Sequence, residues 1–192
     1  DQANVGVGQT LPEKANPRTV TDGGTALFRP EANAARFRSS ARRMAMAELP
    51  EDLFLESIRE LVRADIDWIP SIEGGSLYLR PFMIASEAFL GVKPASEYLY
   101  AVIASSVGAY FKSGADAAVS VWVSQEYTRA APGGTGAAKC GGNSGASLIA
   151  QADASNHGCD QVVFLDAAES RWTAERGGVD GLVYHYALYQ IA

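Results

Sequence analysis

Apolar residues in the first third of the chain recur every three or four positions. The set Ala34, Phe37, Ala41 and Met44 predicts one buried face of a helix. Just before it, Pro30 and Glu31 supply a first-turn proline and an acidic side chain near the positive helix end. A second helix is expected after Pro50, with a buried stripe of Phe54, Ile58, Leu61 and Val62. The first part of the chain therefore predicts two packed helices.

Later segments indicate strands instead. Residues 76–85 alternate with a period of two, so Tyr78 and Arg80 fall on one strand face. The runs 98–104 and 119–124 are rich in β-branched and aromatic residues and predict strands of the same small domain. After a helical pattern from Ser144 that ends at Gly158, further strands are expected at 161–165 and 171–175.

This order of elements predicts an α+β fold. A small N-terminal α/β domain is expected over residues 25–124, and the first part of a second, β-rich domain over residues 137–192. Residues 125–136 would connect the two domains. Residues 1–24 have no sustained apolar period and are interpreted as a tail.

Composition narrows the classes of function. The 192 residues carry a net charge of -6, whereas a nucleic-acid partner would need a basic face. No apolar run reaches the roughly 20 residues that cross a bilayer, and the N-terminus lacks a signal pattern, so we expect a cytoplasmic protein without a membrane partner. Cys140 and Cys159 are expected as reduced thiols, and His157 beside Cys159 lacks the companions of a metal site.

The chemistry is expected in the glycine-rich segment of residues 133–143, GGTGAAKCGGN, which contains Lys139. Glycines let a ligand approach the main chain closely. A phosphate-binding P-loop would need glycine before the lysine and serine or threonine after it, but Ala138 and Cys140 stand there. Spacing alone leaves a solvated lysine in a flexible surface loop as an equal alternative.

Together with the preceding Arg129-Ala130-Ala131-Pro132, this segment resembles the signature of the branched-chain aminotransferases, enzymes that use pyridoxal 5'-phosphate (PLP). Further similarity covers residues 28–33, 77–81, 90–92 and 158–163. The resemblance implies that Lys139 forms the Schiff base with PLP and moves protons during the reaction. It also makes the second domain the PLP-binding domain.

The resemblance implies roles for other residues. Arg36 would bind the PLP phosphate, which suits the planar fork of a guanidinium. Glu175 would pair with the pyridine nitrogen, and Ser144 and Gly178 would also contact the cofactor. The substrate would be bound by Tyr78 and Arg80. Without the resemblance, an exposed arginine or a surface glutamate is the commoner interpretation of such positions.

The resemblance also implies a homodimer, because in this family the loop that matches Leu90-Gly91-Val92 reaches over the neighbouring subunit's active site. The chain departs from the family pattern at two positions. Ser144 replaces a tyrosine and Asp180 replaces an asparagine. The chain also lacks the early Phe-Glu-Gly segment and stops soon after Glu175, so we interpret it as truncated.

Two hypotheses follow from these observations. The first is PLP-dependent transamination of leucine, isoleucine and valine with 2-oxoglutarate, with amino acids and 2-oxo acids as substrates. The alternative is a non-catalytic, truncated remnant of this family that dimerises and binds PLP weakly or not at all.

Overall fold

The structure is a computed structural model that describes residues 27, 29–71, 76–108, 120–171 and, for the backbone, 173–176. Its elements fall into two compact units. The first unit comprises Asp1–Ala117 and Ala137–Gly142, and the second comprises Ala118–Gly136 and Asn143–Ala192. The predicted N-terminal tail and most of the C-terminal segment lie outside the described residues.

The first unit contains two helices and a hairpin. Helix α1 spans Pro30–Arg43 and helix α2 spans Glu51–Ala64, followed by a short 3₁₀ turn at Ile66–Trp68. Strands β1 (Ser76–Ala85) and β2 (Tyr98–Val107) pair antiparallel, with Ser76 opposite Val107 and Ala85 opposite Tyr98. The fold is thus mixed α and β, as the sequence predicted.

The core of the first unit lies between the helices and one face of the hairpin. Its buried members are Ala34, Phe37, Ala41, Phe54, Ile58, Val62, Leu77, Leu79 and Met83. The Phe37 ring lies 5.3 Å from that of Phe54 and 5.6 Å from that of Tyr100, between ring centroids. These are distances at which tilted and edge-on aromatic pairs stabilise a core. The helical stripes predicted from the sequence are therefore confirmed as the faces that pack into the core, with Met44 and Leu61 only partly buried.

Helix α1 begins where its sequence predicted. Arg29, just before it, has a left-handed backbone with φ 45°, and Pro30 opens the first turn. Glu31 lies in the first turn, while Arg42 and Arg43 lie in the last. Acidic residues near the start and basic residues near the end both complement the helix dipole.

The second unit contains a three-stranded sheet and a helix. Strand β3 (Val121–Ser124) pairs parallel with β4 (Gln161–Leu165), which pairs antiparallel with β5 (Thr173–Arg176). The boundary between the two units falls within the sequence of helix α3 (Gly141–Ala146), after Gly142. Helix α4 spans Leu148–Asn156. Its Ala150 and Ala154 pack with Val162 and Phe164 of β4. The turn after α4 uses Gly158 at φ 71°, as predicted.

The predicted strand near residues 119–124 exists, but its position in the fold differs from the expectation. It joins β4 in the second unit, with Val121 opposite Gln161, and does not extend the first sheet. In the division into compact units, the second unit begins at Ala118. An alternating pattern shows that a segment is a half-buried strand, but it does not identify the partner strand.

Within the described residues, no helix is long and apolar enough to span a bilayer. The same part of the chain contains no cluster of three or more His, Cys, Asp or Glu side chains suited to a metal ion.

Candidate functional site

Lys139 lies in the part of the glycine-rich segment that belongs to the first unit. Its neighbours Ala138 and Cys140 are buried, with exposed fractions of 4% and 7%, whereas Lys139 is half-buried. The two flanking side chains therefore anchor the segment and leave the lysine between them partly accessible. A long side chain held in this way can keep its stem against protein and present its amine.

The backbone of Lys139 is bonded directly to helix α1. Its N–H donates a hydrogen bond of 2.9 Å to the hydroxyl oxygen of Ser40, which is fully buried. The two residues are 99 positions apart in sequence. This contact fixes the main chain of the candidate lysine against one face of the helix.

Arg36 lies one helical turn before Ser40 on that same face, where side chains four residues apart are neighbours with Cβ atoms about 5–6 Å apart. Its guanidinium is half-buried and donates through Nη2 to the Asn33 side-chain oxygen at 2.8 Å. The Asn33 amide in turn donates to the Arg29 carbonyl at 3.2 Å. The structure therefore brings Arg36 and the Lys139 main chain to one stretch of α1.

Tyr78 and Arg80 lie on the less buried face of β1, in side-chain contact. Arg80 Nη2 donates to the Tyr78 hydroxyl at 3.3 Å, and its guanidinium carbon lies 5.4 Å from the ring centroid. Since the phenol oxygen accepts this bond, its own proton can be donated to another group. Across the hairpin, Arg80 stands opposite Ile103, which is 54% exposed. The pair thus places a cation and a hydroxyl beside an apolar side chain.

The remaining predicted site residues belong to the second unit. Ser144 is exposed on α3, and its carbonyl accepts hydrogen bonds from the Ser147 N–H at 3.1 Å and the Ser147 hydroxyl at 2.7 Å. Glu175 lies in β5 with its backbone opposite Phe164. Gly178 lies outside the described residues. The meeting of these residues with Arg36 and Lys139 stays a prediction.

The glycines of the motif have a role inside the protein. A Cβ atom on Gly136 would lie 2.6 Å from the Ala130 Cβ, too close for any side chain, and Gly133 has φ 77°. Gly136 is therefore required by the packing of the segment on itself.

Sequence reasoning gave no role to Ser40, Asn33 or Asn143. Asn143 is 9% exposed; its amide donates to the Thr135 carbonyl at 2.9 Å, and its side-chain oxygen accepts from the Thr135 hydroxyl at 2.7 Å. Its carbonyl accepts from Arg129 Nε at 3.2 Å. Asn143 thus holds the residues that lead into the glycines. The sequence offered one indication of a role for Ser40. It lies one helical turn after Arg36 and next to Ala41, a predicted core residue.

No family model matches the chain. Solved structures do, including the Thermobaculum terrenum branched-chain amino acid aminotransferase in its PLP form, at a TM-score of 0.58 and 20% identity over 85% of this chain and 49% of that one. A second match is the Escherichia coli branched-chain amino acid aminotransferase, at a TM-score of 0.59 and 21% identity, covering 90% and 50% of the respective chains. The fold of this chain therefore matches about half of the fold of these two aminotransferases.

Curated sequences confirm the predicted resemblance. The branched-chain-amino-acid aminotransferase of Mycolicibacterium smegmatis is 58% identical over 174 residues, which is 90% of this chain and 47% of that protein. Branched-chain-amino-acid transaminase 1 of Bacillus subtilis is 42% identical over 173 residues, covering 90% and 49%. The chain is homologous to branched-chain aminotransferases, and it spans about half the length of the curated relatives that it matches.

Proposed function

We propose that this chain binds PLP through Lys139 and Arg36 and takes part in the transamination of leucine, isoleucine and valine with 2-oxoglutarate. The observation that carries the proposal is the bond from Lys139 to Ser40, one turn from Arg36 on the same helix. The homology to branched-chain aminotransferases supports the same activity.

The chemistry of these two side chains fits the cofactor. An aldehyde needs a primary amine, and a phosphate needs a cation held in a fixed orientation. Lys139 supplies the amine, and Arg36 supplies a guanidinium whose orientation is set by its bond to Asn33. Ser144, Glu175 and Gly178 are proposed to complete the site, with Glu175 at the pyridine nitrogen.

Bound PLP supplies an electron sink for the negative charge that forms at the substrate α-carbon. The Lys139 amine is proposed to remove the proton from that carbon and to return a proton later in the exchange. Arg80 and Tyr78 are proposed to bind the substrate carboxylate by charge-assisted hydrogen bonds. Ile103, opposite Arg80, offers apolar surface to a branched side chain.

We also propose that the chain acts as a homodimer through the loop that joins β1 to β2. At its tip Leu90 is 94% exposed and Val92 is fully exposed. Hydrogen bonds connect the two ends of this loop, since the Glu87 carboxylate accepts from the Lys93 amine at 2.6 Å and from the Ser96 N–H at 2.7 Å. A second copy of the chain is the proposed partner of these apolar side chains.

The cofactor proposal is tested by adding PLP to the purified chain and recording the visible spectrum. Borohydride reduction should then leave the cofactor covalently attached to the peptide that contains Lys139. Lys139→Ala should abolish both the visible band of bound PLP and the borohydride-trapped attachment. Lys93→Arg is the control, at an exposed lysine in the loop between β1 and β2, and it should leave both signals intact. Attachment that persists in Lys139→Ala would refute the assignment of the lysine.

The same preparation tests the reaction. Leucine should remove the visible band of the wild-type chain, and 2-oxoglutarate should restore it. A chain that attaches PLP at Lys139 but never responds to leucine would correspond to the non-catalytic alternative.

A further inference from the structure

We propose that Ser40 is a positioning residue that sets the place of Lys139 relative to the phosphate-binding part of helix α1. The proposal rests on the proposed function and adds to it a residue that touches neither substrate nor cofactor. Ser40 would act through the main chain of Lys139.

The first argument is burial. Ser40 has no exposed surface, and in the sequence of helix α1 it is next to Ala41 and three positions after Phe37, both of which are buried. A hydroxyl in such a place is stable only when it is hydrogen-bonded, and the same holds for a main-chain N–H. The 2.9 Å bond to the Lys139 N–H satisfies both groups at once. The lysine main chain therefore has one favoured position against the helix.

The second argument is spacing. Arg36 and Ser40 are four residues apart in an unbroken helix, which is about 6 Å along the axis at 1.5 Å per residue. PLP is a rigid ring with the phosphate arm and the aldehyde at fixed positions. A guanidinium and an amine that bind its two ends must therefore be held at a matching separation, to within about 0.5 Å. Helix α1, with Arg36 on one turn and the anchor for Lys139 on the next, maintains that separation.

The third argument is the comparison with Ser39, the neighbouring serine. The Ser39 hydroxyl is exposed and donates to the Arg36 carbonyl at 2.9 Å, within its own helix. Among the residues that the structure describes, Ser39 has no bond of this kind to the glycine-rich segment. The two adjacent serines therefore form a matched pair: Ser40 accepts a hydrogen bond from the Lys139 main chain, and Ser39 bonds within its own helix.

The experiment compares Ser40→Ala with Ser39→Ala and uses two ligands. PLP carries both the phosphate and the aldehyde that reacts with Lys139, whereas pyridoxamine 5'-phosphate carries the phosphate and has no aldehyde. Loss of one buried hydrogen bond corresponds to about a tenfold change in an equilibrium constant. We expect Ser40→Ala to weaken PLP binding and slow borohydride-trapped attachment about tenfold, with pyridoxamine 5'-phosphate bound as in the wild type. Ser39→Ala should change none of these values.

A second variant separates an effect on the position of Lys139 from an effect on the stability of the fold. Ser40→Cys nearly preserves the side-chain volume but replaces the hydroxyl with a weak acceptor, so it should reproduce the loss of attachment with a smaller effect on stability. Ser40→Thr, which keeps the hydroxyl, should restore attachment toward the wild-type rate.

The result that overturns the proposal is an equal loss of both ligands in Ser40→Ala and Ser40→Cys, which would indicate a purely structural serine. Unchanged PLP attachment in both variants would overturn it as well. A wild-type chain that fails to attach PLP at all would instead refute the proposed function, so the two failures are distinguishable.

Discussion

At the scale of single residues, two hydrogen bonds at one face of helix α1 position two of the candidate site residues. Asn33 orients Arg36, and Ser40 holds the main chain of Lys139. Neither contact pairs two opposite charges. Each one therefore acts by fixing the position of a group through the distance and angle of a hydrogen bond. The residue that organises the β1–β2 loop, in contrast, is a charged one, and its effect depends on pH.

Glu87 is that residue, and its protonation should loosen the loop. The pKa of Glu87 is lowered from 4.5 to about 2, first by the bond from Lys93 and then by the bonds from Ser96. A group whose pKa is lower in the folded state stabilises that state above its unfolded pKa, and the effect is lost as pH falls through the folded value. We therefore expect the loop to lose order between pH 4.5 and about 2.

The measurement is an NMR titration that follows the Glu87 side-chain carboxyl and the Ser96 amide. Both signals should move together with a midpoint near the lower end of that window. In Glu87→Gln the Ser96 amide should show no such transition. A Glu87 midpoint at the ordinary value for a glutamate would show that the bonds do not persist in solution.

At the scale of elements, α1 has two functions on different faces. One face carries Ala34, Phe37 and Ala41 into the core, and the adjacent polar stripe carries Asn33, Arg36 and Ser40. The apolar stripe was predictable, because helical periodicity shows directly which positions are buried. The role of Ser40 in the polar stripe was not predictable, because its hydrogen-bond partner Lys139 is 99 residues away in sequence.

The packing of α1 gives a stability prediction. Phe37 is 2% exposed and contacts the rings of Phe54 and Tyr100. Phe37→Ala should lower the free energy of unfolding of the first unit by about 3–5 kcal/mol, since the cavity cannot fully close.

Urea denaturation followed by circular dichroism measures this change. Leu53→Ala is the control, because Leu53 lies on α2 with 52% of its surface exposed. It should change the free energy of unfolding by no more than about 0.5 kcal/mol. Equal effects of the two substitutions would contradict the assignment of Phe37 to the core.

At the scale of the whole molecule, strand partnership and assembly are the features that local patterns leave undetermined. The pairing of β3 with β4 joins Val121 to Gln161, far apart in sequence, and it assigns β3 to the second unit. Local patterns also leave the assembly of chains undetermined. The apolar residues Leu90 and Val92 at the tip of the β1–β2 loop are exposed to solvent. These residues are proposed to be covered by a second copy.

Substitution at the tip tests that assembly. Val92→Lys should shift the proposed dimer toward monomer in sedimentation velocity, because a charged side chain is costly to bury without a partner. Leu148→Lys is the matched control, since Leu148 is 68% exposed on α4 and has no place in the proposed interface. A dimer that survives Val92→Lys unchanged would exclude the tip as its contact.

The sequence by itself determined the two core helices, the alternating strand with Tyr78 and Arg80 on one face, and the likeness to branched-chain aminotransferases. Each depends on residues close together in the chain, where periodicity and motif spacing act directly. Only the tertiary structure decided the sheet that β3 joins, the use of Gly136 for internal packing, and the bond from Lys139 to Ser40. The partner of β3 and the bond to Ser40 depend on contacts between distant segments, whose pairing no local pattern determines. The contact of Gly136 with Ala130 joins nearby residues, and it depends on the backbone path of the loop between them.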